Sequence, residues 1–318
     1  MNAIEVNGLS KRFGDLLALD SVSFSVTKGE TFGYLGPNGA GKTTTIRILT
    51  GITTPSAGTA TVFGRDITRD TLRARKLMGI VYETSNVYDD LTAWQNIRFA
   101  GELYNVGKQD REQRGRDLLE TFGLWERRSG KVRGFSKGMK RRLTIAMGLI
   151  NDPELLFLDE PTSGLDVQSN LIIREVLHDL TKRGVTVFLT THNIEEANVT
   201  CDRVAIINKG KIAAIDTPER LKRAIQSVQS VEVAFETPVP SALADLGTLP
   251  FVNDVRKEGD KIRLYTEDPA TLIEAISAYA AEHTTRIVSV TTLGPTLEDV
   301  FIRLTGLERH AKGVKTVD

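Results

Sequence analysis

A glycine-rich segment that contains one lysine and two threonines has the residue types needed to hold phosphate. Residues 36–44 read Gly-Pro-Asn-Gly-Ala-Gly-Lys-Thr-Thr and fit the pattern G-x-x-x-x-G-K-T. The segment follows the apolar run Thr31–Leu35 and precedes a helix-prone stretch. Glycines let backbone N–H groups converge on phosphate oxygens, and the helix presents its positive end to the same anion. We therefore expect Lys42 to reach the β- and γ-phosphates and the Thr43 hydroxyl to bind Mg²⁺.

Two acidic residues follow the apolar run Leu155–Leu158, at the point where a buried strand is expected to end. Fully apolar strands are typical of parallel sheets, which hold ligands at the carboxyl ends of their strands. Together with a phosphate loop, Asp159 and Glu160 predict a site for Mg²⁺ and an attacking water; the alternative is an acidic pair that only caps the next helix. A second apolar strand, residues 185–190, is expected to bring His192 to the same edge.

Two further candidates are weak by themselves. Phe13 lies beside Gly14, where an aromatic ring could stack on a base or only pack at the rim of the fold; the phosphate loop favours stacking. Ser136 is a good N-cap for the next helical segment, whose end could bind an anion, although most serine-capped helices bind nothing. The residues that we predict to bind the nucleotide are Phe13, Gly36, Pro37, Asn38, Gly39, Ala40, Gly41, Lys42, Thr43 and Thr44.

The polarity pattern predicts the elements around these residues. Alternation over Val22–Val26, followed by a turn, indicates an antiparallel strand pair ahead of the loop. Residues 91–124 become helical, with a capping box at Thr92 and Gln95. Within residues 91–124 we expect a buried apolar stripe formed by Trp94, Ile97, Leu103 and Tyr104. Residues 204–215 are predicted to form a hairpin.

A different pattern begins near Ser227. From there the order is strand, helix, strand, strand, helix, strand, which is that of the split-βαβ fold, followed by a closing helix. We therefore predict a large domain over residues 1–225 that contains the phosphate loop, with a helical subdomain at about 84–150. A small α+β domain would occupy residues 226–306, and residues 307–318 would form a flexible tail.

The composition is that of an ordinary globular protein, with 41 Lys and Arg against 41 Asp and Glu. No apolar run approaches the roughly 18 residues that span a bilayer, and no signal-peptide pattern is recognisable, so we expect any membrane role to require a partner. Neither the first 226 residues nor the remainder is basic enough to predict binding to nucleic acid.

The single cysteine, Cys201, argues against a disulfide scaffold and is expected to be buried or inert, which is consistent with a cytosolic protein.

In combination, these segments resemble the ATPases of the ABC family over about residues 3–225. Residues 36–44 are similar to the Walker A loop, 155–160 to the Walker B strand, and 163–166 (Ser-Gly-Leu-Asp) to the D-loop. His192 resembles the switch histidine, and Phe-Ser-Lys-Gly-Met at 135–139 stands where the signature Leu-Ser-Gly-Gly-Gln is expected. More loosely, Pro-Thr-Leu-Glu-Asp-Val-Phe at 295–301 resembles the C-terminal extension of ATPase subunits that serve multidrug-type and ABC-2-type exporters.

The resemblance implies an α/β fold of the P-loop NTPase class: a RecA-like core, an antiparallel β-subdomain and an inserted helical subdomain, with the small α+β domain added. It also implies an ATPase subunit, using ATP and Mg²⁺, that powers a membrane exporter through ATP-driven dimerisation. The partners would be a second nucleotide-binding subunit, most simply a copy, and a separate permease at the cytoplasmic face of the membrane. The alternative is a soluble ABC ATPase of translation or repair, although the sequence shows neither two ATPase halves nor long coiled-coil insertions. A P-loop GTPase or kinase fits less well, because no Asn-Lys-x-Asp motif is present.

The resemblance also implies roles for single residues. Asp159 would hold Mg²⁺ through water, with Thr43 as a direct ligand. Glu160 would polarise the attacking water, and His192 would orient the γ-phosphate and Glu160. Asp166 belongs to the D-loop. The signature residues expected to contact ATP on the partner subunit are Ser136, Lys137, Gly138 and Met139.

The sequence departs from the family pattern at three positions. Lys137 and Met139 replace a glycine and a glutamine of the signature, while Ser136 and Gly138 remain. Glu83 replaces the glutamine of the Q-loop. Because a carboxylate can bind Mg²⁺ or its water, Glu83 is a third candidate metal ligand.

Overall fold

The computed structural model describes residues 1–224, 229–237 and 239–306. The chain divides into two units, Met1–Pro218 and a second that begins at Glu219. The predicted boundary between residues 225 and 226 and the predicted tail of residues 307–318 both lie outside the described residues.

A six-stranded sheet, parallel except for one edge strand, forms the centre of the first unit. Its order is β10-β9-β3-β8-β7-β6, and β10 pairs with β9 as the predicted antiparallel hairpin. The apolar runs that suggested interior strands are β3, β7 and β8, and every residue in these three strands is buried. The strand bounds are β3 Thr31–Leu35, β6 Met78–Val81, β7 Leu155–Asp159, β8 Thr186–Thr191, β9 Arg203–Asn208 and β10 Lys211–Asp216.

An antiparallel sheet of order β2-β1-β4-β5 packs against this core, which confirms the strands predicted ahead of the loop. Phe24 of this sheet contacts Phe32, Tyr34 and Phe188 of the parallel sheet, with ring centroids 5.5 to 6.0 Å apart. Burying one such side chain contributes roughly 1.5–3 kcal/mol, so the cluster holds β3, and therefore the loop after it, firmly in place. The strand bounds are β1 Asn2–Phe13, β2 Leu16–Thr27, β4 Ala57–Val62 and β5 Arg65–Asp66.

Three helices between residues 93 and 149 form the predicted helical region. The capping box is confirmed: Thr92 Oγ1 accepts from the Gln95 N–H at 3.1 Å, and Gln95 Oε1 accepts from the Thr92 N–H at 2.8 Å. In the described ranges no helix is both long and apolar enough to cross a membrane. The helices are α1 Lys42–Leu49, α2 Thr71–Arg75, α3 Ala93–Leu103, α4 Lys108–Thr121, α5 Lys137–Leu149, α6 Val167–Lys182, α7 Ile194–Thr200 and α8 Pro218–Arg223.

The predicted apolar stripe in this region was partly wrong. Ile97 is fully buried, but Leu103 and Tyr104 are 67% and 36% exposed. The reason is that α3 ends at Leu103, with Tyr104 as its C-cap and Asn105 at φ +55. The chain turns there, so the buried face of α3 does not continue as far as the spacing suggested.

The second unit has the split-βαβ order predicted from its alternation. Its four strands are antiparallel in the order β12-β13-β11-β14, and two helices cover a core that contains Val231, Val233, Leu264 and Leu272. The elements are β11 Gln229–Phe235, α9 Ala242–Gly247, β12 Val252–Glu258, β13 Lys261–Thr266, α10 Pro269–Glu282, β14 Ile287–Leu293 and α11 Leu297–Thr305.

Asp299 fixes the closing helix α11 to this sheet. Its carboxylate accepts from the Thr296 N–H at 2.9 Å and from the Tyr265 hydroxyl at 3.1 Å. Arg263 Nη2 lies 3.5 Å from the same carboxylate. The acidic residue in the 295–301 motif therefore caps its own helix and ties it to β13.

Cys201 lies beneath the central strand β3. A Cβ atom at Gly33 would fall 2.6 Å from Cys201 Sγ, so the cysteine occupies the space that the glycine leaves. The thiol is buried, and burial raises its pKa well above the ordinary value. The expectation of a buried cysteine is confirmed.

Candidate nucleotide site

The loop of residues 36–44 joins β3 to α1 at the carboxyl edge of the parallel sheet. Gly41, the N-cap of α1, has φ +109, a conformation that other residues rarely adopt. Gly36 passes so close to β9 that a Cβ there would lie 2.4 Å from the Ile207 carbonyl oxygen. Both glycines are therefore required for the loop to turn tightly into α1, whose first N–H groups have no carbonyl of their own helix to bind.

Lys42 is buried, and its ammonium group is held inside the loop. Its Nζ donates to the carbonyl oxygens of Gly36 at 2.7 Å and Pro37 at 3.3 Å. The same nitrogen lies 3.2 Å from Glu160 Oε1. The lysine thus stands between the glycine loop and the acidic strand end, where a polyphosphate would need a cation.

Asp159 ends β7 and is 1% exposed. One carboxylate oxygen accepts from the Thr43 hydroxyl at 2.9 Å, and the other accepts from the Thr190 hydroxyl. A hydroxyl and a carboxylate in contact match the oxygen ligands that Mg²⁺ prefers, so these residues fit the predicted metal. Glu83 is exposed just beyond β6 and lines the same region as Thr43 and Asp159.

Glu160 adopts a left-handed backbone conformation, φ +48, that is costly for a residue other than glycine. Its Oε2 lies 2.8 Å from His192 Nδ1. Its Oε1 is buried beside Lys42 and makes no hydrogen bond of good geometry within the described part of the chain. The histidine therefore fixes one carboxylate oxygen while the other remains able to accept a proton.

Lys42, Thr43, Glu160 and His192 line one cleft of about 800 Å³. Phe13 lies at its mouth, 49% exposed, with Lys11 Nζ 4.9 Å from the ring centroid. The ring is thus accessible from the cleft, and its stacking on a base stays a prediction. The lining residues are Phe13, Leu16, Leu17, Ala18, Asn38, Gly39, Gly41, Lys42, Thr43, Thr44, Glu83, Glu160, Ser163, His192, Lys209 and Gly210.

Comparison with known proteins agrees with this geometry. Residues 19–163 match the family model described as ABC transporter. The chain is 38% identical over 305 residues to Nod factor export ATP-binding protein I of Ralstonia nicotianae, covering 96% of this chain and 94% of that protein. The chain belongs to the ABC transporter family. This ABC ATPase is also 35% identical over 305 residues to the linearmycin resistance ATP-binding protein LnrL of Bacillus subtilis, covering 95% and 98% of the two chains.

Solved structures show the same fold. An ATP-binding subunit of an ABC transporter is 31% identical, with a TM-score of 0.65 over 70% of this chain and 92% of that one. The cbiO1 chain of an ABC transporter complex from Clostridium perfringens is 25% identical, with a TM-score of 0.64 over 71% and 94%. The predicted P-loop NTPase fold is confirmed.

The signature of the ABC ATPase lies away from its own cleft. Ser136 is the predicted N-cap of α5, accepting from the Met139 N–H at 3.2 Å. None of the residues 136–139, all within the described ranges, lines the cleft of the same chain. Ser136 and Lys137 are exposed at the start of the helix. The structure therefore does not bring the signature and the glycine loop of one chain together.

The first turn of α5 packs against the D-loop. Gly138 has no room for a side chain, because a Cβ there would lie 2.1 Å from Ser169 Oγ and 2.8 Å from Asp166 Oδ2. Asp166 caps α6 by accepting from the Ser169 N–H at 2.8 Å, and its hydrogen bonds with Ser169 hold the pKa of its carboxyl below the usual range. Lys137 reaches the same segment: a Cβ at Gly164 would lie 2.5 Å from its Nζ. The lysine that replaces a signature glycine thus places a cation beside the D-loop.

Several residues of the cleft were not predicted from the sequence. Lys209 and Gly210 form the turn between β9 and β10, which we had interpreted only as a hairpin turn. Leu16 and Leu17, at the start of β2, are apolar but 66% and 36% exposed. Two leucines beside a turn glycine, close in sequence to Phe13, were the available signal for an apolar part of the cleft lining.

Proposed function

We propose that this ABC ATPase powers a membrane exporter, and that it acts as a dimer whose closure on ATP drives a separate permease from the cytoplasmic face. The observation that carries the proposal is the cleft that joins Lys42, Glu160 and His192 beside the Thr43–Asp159 contact. The similarity to two ATP-binding proteins named for export and for drug resistance, over almost the whole chain, supports the exporter class. It also favours export over the translation and repair ATPases.

The geometry supports a role for each side chain in hydrolysis. Lys42 supplies the positive charge for the β- and γ-phosphates, and its hydrogen bonds to the carbonyls of Gly36 and Pro37 hold its ammonium group in the loop beside Glu160. Glu160 accepts a proton from water at Oε1, and His192 holds Oε2 so that the base keeps its direction. When bound by Thr43 and Asp159, with Glu83 as a further candidate ligand, Mg²⁺ supplies charge that offsets the phosphates.

A second subunit is required because the signature of one chain faces away from its own cleft. Ser136 and Lys137 are exposed at the positive end of a thirteen-residue helix, α5, and are free to meet the nucleotide of a partner. Each chain carries one glycine loop and one signature, so two copies related by a two-fold axis supply two complete sites. We propose a homodimer as the simplest assembly.

Glu160→Gln is expected to form dimers when Mg-ATP is added, because it binds the nucleotide without consuming it. Light scattering should show a doubling of mass that depends on ATP. Ser136→Arg in the same background should abolish the doubling, since its side chain would fill the space that the partner's γ-phosphate needs. Ser129→Arg, which adds the same bulk at another exposed position, is the control.

If Glu160→Gln stays monomeric at high protein concentration and saturating Mg-ATP, the homodimer is wrong and a paralogous subunit is required. If Ser136→Arg dimerises as well as the Ser129→Arg control, the signature does not contact the partner's nucleotide.

A further inference from the structure

Arg141 is a buried charge that the sequence analysis did not single out. It lies on α5, five residues after Ser136, and is 3% exposed. Its guanidinium donates to four backbone carbonyl oxygens. It bonds to Asp159 at 2.6 Å, Pro161 at 3.0 Å, Glu83 at 3.2 Å and, by a short contact, Tyr82.

The four carbonyls belong to the edge of the sheet where hydrolysis would take place. Tyr82 and Glu83 follow β6, and Asp159 and Pro161 flank Glu160 on either side. One side chain therefore joins the ends of two neighbouring strands around the proposed base. The strained backbone of Glu160, φ +48, needs such support, because an unfavourable conformation persists only where its surroundings hold it.

Arg141 keeps its positive charge at this edge of the sheet. Burial lowers the pKa of Arg141 to about 10, while four carboxylates, led by Asp159 and Glu196, oppose that shift, so the side chain stays protonated at neutral pH. Lys42 is the other buried cation here, and its charge is needed for the nucleotide. The buried charged side chains of Met1–Pro218 are Lys42, Arg141, Asp159, Glu160 and Glu196.

We propose that Arg141 is a positioning residue for ATP hydrolysis. It holds the peptide segment on both sides of Glu160 and the turn at Glu83 in their working geometry, and it ties this edge to α5, the helix capped by Ser136. The inference rests on the proposed role of Glu160 as the base. Arg141 does not line the cleft, so it acts through the backbone that it binds.

The test compares Arg141→Met and Arg141→Lys with Arg142→Met. Arg142 is the next residue of α5 and, within the described ranges, donates to a single carbonyl, that of Phe122, at 2.7 Å. We expect kcat of Arg141→Met to fall by at least about 10-fold, because small misplacements of a catalytic group are costly in rate. KM should stay within about threefold, since the glycine loop and Lys42 are unchanged. Arg141→Lys keeps the positive charge but loses the planar, forked guanidinium group, so its kcat should lie between those of Arg141→Met and the wild type. The kcat of Arg142→Met should resemble that of the wild type.

Circular dichroism at the assay temperature confirms that each variant is folded. If Arg141→Met does not fold, Arg141→Lys carries the test, with a lower kcat at unchanged KM as the required result. Wild-type kcat in a folded Arg141 variant overturns the proposal. So does a parallel loss of kcat and of affinity for a non-hydrolysable ATP analogue, which would indicate general disruption of the site.

A second measurement separates positioning from association. With Glu160→Gln in the same chain, Arg141→Lys should still dimerise on Mg-ATP, because the Ser136 cap is intact; loss of the dimer overturns the inference. Near-normal turnover in Glu160→Gln alone would contradict the assignment of Glu160 as the base. Wild-type turnover in an Arg141 variant, together with an inactive Glu160→Gln, would contradict only the positioning role of Arg141.

Discussion

Glu160→Gln will bind ATP but hydrolyse it at least about 100-fold more slowly, the usual scale for the loss of a general base. The amide keeps the shape of the side chain and its contact with His192, which lies 2.8 Å from Oε2. It cannot accept a proton from water. It also removes the ion pair with Lys42, 3.2 Å from Oε1, so the affinity for ATP should be equal to or higher than that of wild type.

Steady-state phosphate release measures the turnover of this variant, and equilibrium fluorescence measures nucleotide binding. Glu195→Gln, which removes an exposed carboxylate from the first turn of α7, is the matched control and should behave like wild type. Turnover within a few-fold of wild type in Glu160→Gln would show that another group activates the water.

Lys42→Ala is expected to fail one step earlier, at nucleotide binding. Hydrogen bonds to a charged group contribute about 1.5–3 kcal/mol, and each 1.4 kcal/mol is tenfold in Kd, so the affinity for ATP should fall about 10- to 100-fold. The structure adds a second reason. Without the ammonium group, Glu160 Oε1 loses its neighbouring cation, and an uncompensated buried carboxylate would face the incoming phosphates.

Binding of a non-hydrolysable ATP analogue, followed by calorimetry, is the measurement for Lys42→Ala. Lys28→Ala removes an exposed lysine that pairs with Glu154, remote from the cleft lining, and should bind normally. Thermal unfolding without nucleotide shows whether the lysine also stabilises the empty loop. An unchanged affinity in a folded Lys42→Ala would mean that residues 36–44 do not hold the phosphates.

The sequence predicted those parts of the fold in which the local polarity pattern matches the burial that the structure shows. The apolar run Leu155–Leu158 had to be an interior strand, and its ending in Asp159 and Glu160 placed both acids at the ligand edge. The loop of residues 36–44 was predictable because its glycines serve a local backbone requirement. The split-βαβ order followed from alternation: Val231 and Val233, two residues apart on β11, lie in one core with Leu264 of β13.

The features that were missed do not follow from residue type and spacing alone. Leu103 and Tyr104 have the spacing of a buried stripe, but the place where α3 ends decides their exposure. Arg141 looks like one more basic residue in Lys-Arg-Arg, because the carbonyls that it binds lie 18 to 59 residues away. Residue type and spacing predict local geometry well, whereas a buried cation is explained only once the strands around it are assembled.

The position of Cys201 has a practical consequence for fluorescence work. Its sulfur lies under Gly33 with a raised pKa, so the native protein presents a thiol that is both shielded and weakly ionised. A cysteine introduced at an exposed site outside the signature, such as Ser129→Cys, can therefore be labelled with maleimide dyes without first replacing the natural one. Attaching one dye per subunit then makes closure of two subunits visible as energy transfer. Any later reaction of Cys201 itself reports that the centre of the sheet has opened.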